Sequence, residues 1–182
     1  MSPPLEMKVQ LRDLAQLFNS MDPSPFHDRD LDAAAEAFIV GWAREMPARG
    51  ELALTIALTN RPPDAKAEDV GEAVRHYFAR RAEMKQRDLQ KLLRQGRTSL
   101  LVGLIFLTSC LLASEVLQTL SQRAFMTVLK ESLMIGGWVA MWRPLEIYLY
   151  DWWPIRAERL VLERLARMQV RLELPPVSGR AA

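Results

Sequence analysis

The chain has 182 residues, of which 25% are charged and 49% are hydrophobic, and its formal net charge is +2. A net charge this small argues against a nucleic-acid-binding protein, so no nucleic-acid partner is expected. The single cysteine, Cys110, cannot form an intramolecular disulfide or a cysteine metal cluster. The N-terminal stretch lacks the basic start and the apolar core of a signal peptide, so we expect it to stay in the cytosol.

A small cytosolic α+β domain is expected over residues 1–67. Alternating apolar positions predict β-strands over residues 6–11 and 51–59. Between them, apolar residues recur at helical spacing, and either Asp30 or Asp32 can cap that helix. The order is therefore strand, helix, strand, followed by a long helix.

The long amphipathic helix is expected over residues 68–97. Its apolar side chains form an irregular stripe at spacings of mostly three to five residues, which is typical of a helix that packs on something. We interpret this stripe as an assembly surface, formed either with the small domain or as a coiled coil with a copy of the chain. The assembly stripe comprises Val70, Val74, Tyr77, Phe78, Leu89, Leu92 and Leu93. Whether the helix continues through Gly96 into the next segment is open, because glycine is only a mild break.

A transmembrane hairpin is predicted over residues 98–150. Residues 98–117 contain one charge, Glu115, and match the about 20 residues that cross a ~30 Å hydrocarbon core. The second segment, residues 128–150, is less apolar, and an interfacial or re-entrant helix is the alternative. Its charged residues are Lys130, Glu131, Arg143 and Glu146.

The distribution of charge predicts the orientation of this hairpin. Residues 75–97 contain eight Lys/Arg and two acids, and residues 151–171 contain five Arg and three acids. Residues 115–131, between the two spans, contain two of each. Because cytoplasmic flanks carry the excess of Lys and Arg, both termini are predicted to be cytoplasmic. The fold class is thus a mainly α membrane protein, a two-helix transmembrane hairpin joined by a long helix to the α+β domain.

Residues 151–182 are predicted to form a cytosolic amphipathic helix and tail. Trp142, Trp152 and Trp153 lie near the end of the second segment, where membrane interfaces favour tryptophan. Residues 169–174 alternate like a strand. Since two strands alone rarely make a stable sheet, we expect this segment to join the sheet of the α+β domain.

Two sets of residues in the second segment are candidate functional sites. Arg143 and Glu146 are three residues apart and can pair on one helix face, as part of an ion pathway or as an ion pair near the interface. Pro144, between them, is expected to kink the helix. A helix-packing face is assigned to Gly136, Gly137 and Trp138, because glycine permits close helix approach in lipid.

The sequence offers no catalytic constellation. The two histidines, His27 and His76, lack metal-ligand spacing, and the serines of the apolar segments have no histidine near them. No glycine-rich phosphate loop occurs. We therefore expect no enzymatic activity, no cofactor and no metal.

Two stretches of the sequence carry a resemblance. MDPSPFHDRDLDAAAEAFIVGWARE and WRPLEIYLYDWWPI resemble a set of uncharacterised bacterial inner-membrane proteins with a small cytosolic domain and two membrane helices. The resemblance implies a bacterial inner membrane and no particular activity. The expected function is a small integral membrane protein that acts through homo-oligomeric assembly or docking of an unidentified protein partner, with lipids around it. The alternative is an oligomeric ion channel or transport component with Arg143 and Glu146 near the pathway.

Overall fold

The computed structural model describes residues 5–47, 50–60, 67–120 and 124–174. The protein is mostly helical, with a small three-stranded parallel sheet and one long apolar helix. It divides into two compact units. The α/β unit consists of Met1–Met84 with Ala157–Ala182, and the helical unit consists of Lys85–Arg156.

The α/β unit contains three strands in the order β1-β2-β3, all parallel. β1 pairs with β2 from Leu5 opposite Leu52 onward, and β3 pairs with the other edge of β2. The expected strands are therefore confirmed, and the C-terminal strand does join the sheet. The strands are β1 (Leu5–Leu11), β2 (Leu52–Leu58) and β3 (Gln169–Glu173).

Parallel strands need a crossover between them, and a helix supplies the first one. This helix, α1 (Ala33–Glu45), begins at Asp32, whose carboxylate accepts hydrogen bonds from the backbone N–H groups of Ala34 and Ala35. Asp32 is thus the N-cap, which satisfies amide groups that have no intrahelical partner. The crossover from β2 to β3 contains the rest of the chain, including the whole helical unit.

One face of the sheet forms the hydrophobic core. The alternation of β1 and β2 points one set of apolar side chains towards the helices, and β2 is buried along nearly its whole length. The largest fully buried side chains of this core are Phe78, Met7, Leu17, Ile39, Leu54, Ile56, Leu165 and Met168. The central position of β2 explains its apolar run, since both of its edges and one of its faces are covered.

The other face of the sheet is polar and covered by its own side chains. Lys8 on β1 and Glu173 on β3 form an ion pair of 2.7 Å between Nζ and Oε2. On β2, Thr55 is 1% exposed, and its hydroxyl donates a hydrogen bond of 2.7 Å to Glu6. Long side chains of the outer strands thus cover small residues of the central strand.

The remaining helices follow one another with few breaks. The first is continuous through Gly96, which answers the question that the sequence left open. The helices are α2 (Ala67–Leu120), α3 (Ala124–Ala140), α4 (Trp142–Glu146), a π-helix (Ile147–Asp151) and α5 (Trp152–Ala166).

Pro144 inside the second apolar segment and Pro154 just after it flank the irregular part of these helices. α3 ends at Ala140 with a single turn residue, Met141, because Pro144 has no N–H to donate to the Ala140 carbonyl. The helix is therefore interrupted just before Pro144, where the sequence predicted a kink. The π-helix ends at Asp151, three residues before Pro154, which likewise cannot donate to Tyr150. The indole N–H of Trp152 donates a hydrogen bond of 2.8 Å to the carbonyl of Tyr148 inside the π-helix.

Among the described residues, one helix is long and apolar enough to cross a membrane. Within Ala67–Leu117, an 18-residue window has a mean hydropathy of 2.2, and 17% of that window is buried. α3 has 17 residues, about 26 Å of helix, which is slightly less than the ~30 Å hydrocarbon core. The helical unit thus contains one candidate span and a second apolar helix that is interrupted at Met141.

Candidate membrane-embedded surface

The helices of the helical unit meet along a seam of small residues. On α2, Gly96, Gly103 and Cys110 recur every seven residues, and all three are buried. A seven-residue repeat keeps one face of a helix against its neighbour. This seam therefore continues along α2 over most of the apolar segment.

The glycines of the seam are close to the opposite helices. A Cβ atom added at Gly103 would lie 3.2 Å from the carbonyl oxygen of Ala140. At Gly96 it would lie 2.9 Å from Cγ2 of Ile147, and at Gly137 it would lie 2.9 Å from Cδ1 of Leu107. The helices thus approach closely at these three positions, and a larger residue would have to displace a side-chain methyl group at Gly96 and Gly137 or crowd a backbone oxygen at Gly103.

Only part of the predicted helix-packing face lies in this seam. Gly137 is buried against Leu107 and Cys110. Its neighbour Gly136 has no heavy atom within 4 Å of an added Cβ, and Trp138 is 65% exposed. The structure therefore brings Gly137 into a packed contact and leaves Gly136 and Trp138 on the surface.

Large apolar side chains cover the outside of the helical unit. On α2 they face away from the seam, and on α3 the most exposed ones lie within two turns. The exposed side chains of α2 are Leu101, Val102, Leu104, Ile105, Phe106, Leu111, Leu112 and Val116. Those of α3 are Val128, Leu129, Met134, Ile135, Trp138 and Val139. Exposed apolar surface of this extent is rare on a soluble monomer and indicates a membrane or protein partner.

The predicted interfacial tryptophans occupy the end of this apolar surface. Trp142 is 71% exposed at the start of α4, and Trp153 is exposed at the start of α5. Trp152 packs against Trp153 with ring centroids 5.4 Å apart, and the guanidinium of Arg156 lies 5.6 Å from the Trp152 ring centroid. Aromatic rings beside cationic groups are typical of the boundary between lipid and water.

The predicted charge pair of the second segment belongs to a group of three. Arg143 Nη1 lies 2.8 Å from Oε2 of Glu146 and 3.2 Å from Oδ2 of Asp151. All three side chains are at least about a quarter exposed, and Asp151 was not part of the predicted pair. The guanidinium therefore has two carboxylates of its own chain around it, at the turn where α4 and the π-helix follow α3.

Four members of the predicted assembly stripe are in the core of the α/β unit. Val70, Val74 and Phe78 are fully buried there, and Tyr77 is 5% exposed. These side chains are covered by the chain's own sheet and helices, so they are not available to a partner. Of the two alternatives for this part of the stripe, packing on the small domain is the one the structure has. Leu89, Leu92 and Leu93 lie on the helical-unit part of α2 and are partly exposed.

Tyr77 also takes part in a partly buried polar cluster of the α/β unit. Its hydroxyl donates a hydrogen bond of 2.8 Å to Glu36 on α1, and Nε of Arg81 donates one of 2.9 Å to the same carboxylate. Burial, followed by the hydrogen bond to the Glu36 carboxylate, raises the pKa of Tyr77 above its usual value. Neutral tyrosine is therefore the form that the fold favours, and the cluster fixes α1 against α2.

Within the described residues, no group of three or more His, Cys, Asp or Glu side chains could hold a metal ion. His76 lies 3.3 Å from Asp28 on the surface of the α/β unit, where both side chains are about half exposed. This pair is a surface contact.

The geometry defines a mainly helical protein with a small parallel sheet and a largely exposed apolar helix. A scan against protein-family models, a search of curated proteins and a search of solved structures each returned no match.

The sequence contained a signal for the seam that periodicity of large apolar residues did not detect. Gly96 was weighed only as a break in a helix and Cys110 only as a small buried residue. Their spacing of seven, with Gly103 midway, indicates helix packing when it is counted for small residues. Asp151, the third member of the Arg143 group, had no such signal in the sequence. It follows Arg143 by eight residues, and the π-helix between them brings the two side chains together.

Proposed function

We propose that this chain is an integral protein of the bacterial inner membrane that acts through assembly or partner docking, without catalytic chemistry. Residues 98–117 form the first span and residues 128–150 the second. Both termini, and with them the α/β unit, are cytoplasmic. The membrane helices hold the α/β unit at the cytoplasmic surface.

The observation that carries this proposal is the distribution of side chains in the helical unit. Small residues fill the seam between the helices, whereas Leu, Ile, Val, Phe and Trp face outward. A soluble helical pair has the reverse arrangement, because burying large apolar side chains supplies most of its stability. In lipid that driving force between helices is lost, and small residues allow the close packing that replaces it.

Features of the second segment support a span despite its interruption. Helical backbone resumes at Trp142 and continues through the π-helix to Asp151. The break at Met141 leaves the carbonyl of Ala140 without its helical donor, and Gly103 is the residue that lies against it. Proline breaks are tolerated in transmembrane helices when a neighbouring helix covers them. The Arg143 group lies within ten residues of the cytoplasmic end of the span, where the charged side chains can reach the interface.

One face of α3 supports assembly of the spans. Ile135, Trp138 and Val139 follow one another at helical spacing on α3, and Trp142 comes directly after the break at Met141. All four are more than 60% exposed. This face replaces Gly136 and Gly137 as the surface for a second copy or a partner helix, because Gly137 is already used within the chain. Aromatic residues are also the ones that protein interfaces favour.

Membrane insertion is tested by extraction and cysteine labelling. We expect the protein to stay in the membrane fraction after alkaline carbonate washing. In a Cys110→Ala background, we expect Thr119→Cys to react with a membrane-impermeant maleimide in spheroplasts and Glu68→Cys to react only after lysis. Release by carbonate, or equal labelling of both positions in spheroplasts, would contradict the proposal.

Assembly is tested by the mass of the protein in native lipid particles. Trp138→Ala combined with Trp142→Ala is expected to lower that mass, while Trp153→Ala, which alters an exposed tryptophan outside this face, leaves it unchanged. A monomer before any substitution would refute homo-oligomeric assembly by this face. The ion-channel alternative requires a ring of subunits. It predicts that proteoliposomes containing the Glu146→Gln variant lose the ion flux that the unaltered protein supports. The two carboxylates beside Arg143 favour a local ion pair over a pathway.

A further inference from the structure

We propose that the outer face of α2, directly before its apolar segment, binds the headgroup of an anionic phospholipid, with Arg94 and Arg97 as the ligating residues. The inference rests on the membrane insertion proposed above and identifies a partner for it. The phosphate group of the lipid is the chemical feature that would be recognised.

The position of the two arginines on the helix favours this assignment. An α-helix turns about 100° per residue, so Arg94 lies about 200° from the buried Gly96 and is opposite the seam. Arg97 is three residues after Arg94 and shares that outer face. Leu101 and Ile105 continue the same face and are 60% and 59% exposed. One face of α2 therefore changes from cationic to apolar within about one turn.

The depth of the two arginines matches the headgroup layer. Along a helix with a rise of about 1.5 Å per residue, Arg97 lies about 1.5 Å and Arg94 about 6 Å from Thr98, where the proposed first span begins. The polar layer on each side of the ~30 Å hydrocarbon core is about 5–7 Å thick. When Thr98 is at the edge of the hydrocarbon, both arginines are within this layer.

These two guanidinium groups differ in their surroundings from several of the described arginines, which are held in ion pairs. Arg81 is paired with Glu36, Arg80 with Asp30, and Arg143 with two carboxylates. Among the described residues, no ion pair is assigned to Arg94 or Arg97, and both are exposed. The nearby Lys91 is only loosely associated with Asp88, at 3.9 Å. The cations on this face are thus free to be neutralised by an anion from outside the chain.

Arginine is the side chain best suited to such a phosphate group. Its planar guanidinium offers paired N–H donors that match two phosphate oxygens, and it remains charged at any physiological pH. Each basic residue near an anionic membrane surface contributes about 1 kcal/mol, so the two arginines together give about a 30-fold preference. An anionic lipid adds a net negative charge that phosphatidylcholine lacks.

The test is a titration of the purified full-length protein in neutral detergent with phosphatidylglycerol or phosphatidylcholine, with bound lipids counted by native mass spectrometry. We expect phosphatidylglycerol to bind more tightly to the unaltered protein. Arg94→Gln combined with Arg97→Gln should lower that preference about 30-fold, whereas Arg94→Lys with Arg97→Lys should retain most of it. Because the protein is in detergent, the result does not depend on the direction of insertion.

A control variant removes the same charge elsewhere. Arg12→Gln combined with Arg75→Gln lies in the α/β unit and should bind phosphatidylglycerol like the unaltered protein. An equal loss in this control, or a change below twofold in the Arg94/Arg97 variant, would overturn the inference. Competition by inorganic phosphate at millimolar concentration would overturn the lipid assignment in favour of a soluble phosphate. Carbonate extraction fails only if the insertion proposal is wrong, so the two failures are distinguishable.

Discussion

The adjacent glycines of α3 give a matched pair for testing the helix seam. A Cβ added at Gly137 would lie 2.9 Å from Cδ1 of Leu107, 3.3 Å from Cβ of Cys110 and 3.5 Å from Cα of Leu107. A Cβ added at Gly136 would have no neighbour within 4 Å. The same substitution, Gly→Ala, therefore meets a packed seam at one position and open space at the next.

The expected difference between the two variants follows from two opposing terms. Alanine is about 1 kcal/mol better than glycine inside a helix, and both variants gain this. Adding a methyl group to a packed contact costs about 1–3 kcal/mol, and only Gly137→Ala is subject to this cost. Since the Leu107 side chain can rotate but Cys110 Cβ and Leu107 Cα are fixed to the helix, we place the cost in the middle of that range. Gly136→Ala should thus be more stable than Gly137→Ala by about 2 kcal/mol.

The assay is unfolding of each purified variant by sodium dodecyl sulfate in mixed micelles, followed by tryptophan fluorescence. We expect Gly136→Ala to unfold at a higher mole fraction of this detergent than the unaltered protein, and Gly137→Ala at a lower one. Gly137→Leu should unfold at a still lower mole fraction of the detergent than Gly137→Ala. Equal stability of the two alanine variants would refute the close contact between α3 and α2 and, with it, the packing of small residues on which the membrane proposal rests.

Three further predictions concern the α/β unit, each measured by amide hydrogen exchange of β2 in the full-length protein. Tyr77→Phe removes the hydrogen bond to Glu36 and should lower the free energy of unfolding by about 1–2 kcal/mol at neutral pH. Because folding raises the pKa of Tyr77 above 10.0, the unaltered protein should also lose stability as the pH rises above 10. The variant has no phenol to ionise and should not show this loss. Hydrogen bonds from Ser24 and from the Asp30 amide lower the pKa of Asp22 from 3.8 to about 2. The stability that these bonds give is present above pH 3.8 and lost as the pH falls towards 2. Asp22→Asn should therefore make the stability of the protein less dependent on pH in this range. Leu165→Ala, at a fully buried position of α5, should cost about 2–5 kcal/mol, and a loss under 1 kcal/mol would contradict the docking of α5 on the sheet.

Most elements of the fold could be predicted from sequence periodicity. The alternation in residues 6–11, 51–59 and 169–174 gave the three strands, because period-two patterns are specific to a half-buried strand. The proline at position 144 gave the break before α4, since its missing N–H has a defined local effect. Local chemistry of this kind depends on residues a few positions apart.

Features that depend on distant residues could not be predicted. The parallel order with β2 in the centre depends on pairing between strands that are more than a hundred residues apart, and periodicity contains no information on partners. The apolar stripe of α2 was interpreted as an assembly surface. The pattern indicates that one face of the helix is buried, but it does not indicate which residues cover that face. Val74 and Phe78 proved to be covered by the chain's own core. The joint hydrogen bonds of Tyr77 and Arg81 to Glu36 span 41 and 45 residues and left no local pattern.

The α/β unit is interrupted in sequence by the helical unit, and this has a consequence for biogenesis. β1 and β2 leave the ribosome first, but β3 and the core residues Leu162, Leu165 and Met168 are synthesised only after Lys85–Arg156. Until then, the nascent α/β unit has two strands and an incomplete core, which is marginal for independent folding. In the two-span arrangement proposed above, β3 and β2 are on the same side of the membrane only when both spans insert. Under that proposal, a chain in which the second span failed to insert could not complete the sheet or bury the apolar face of β2.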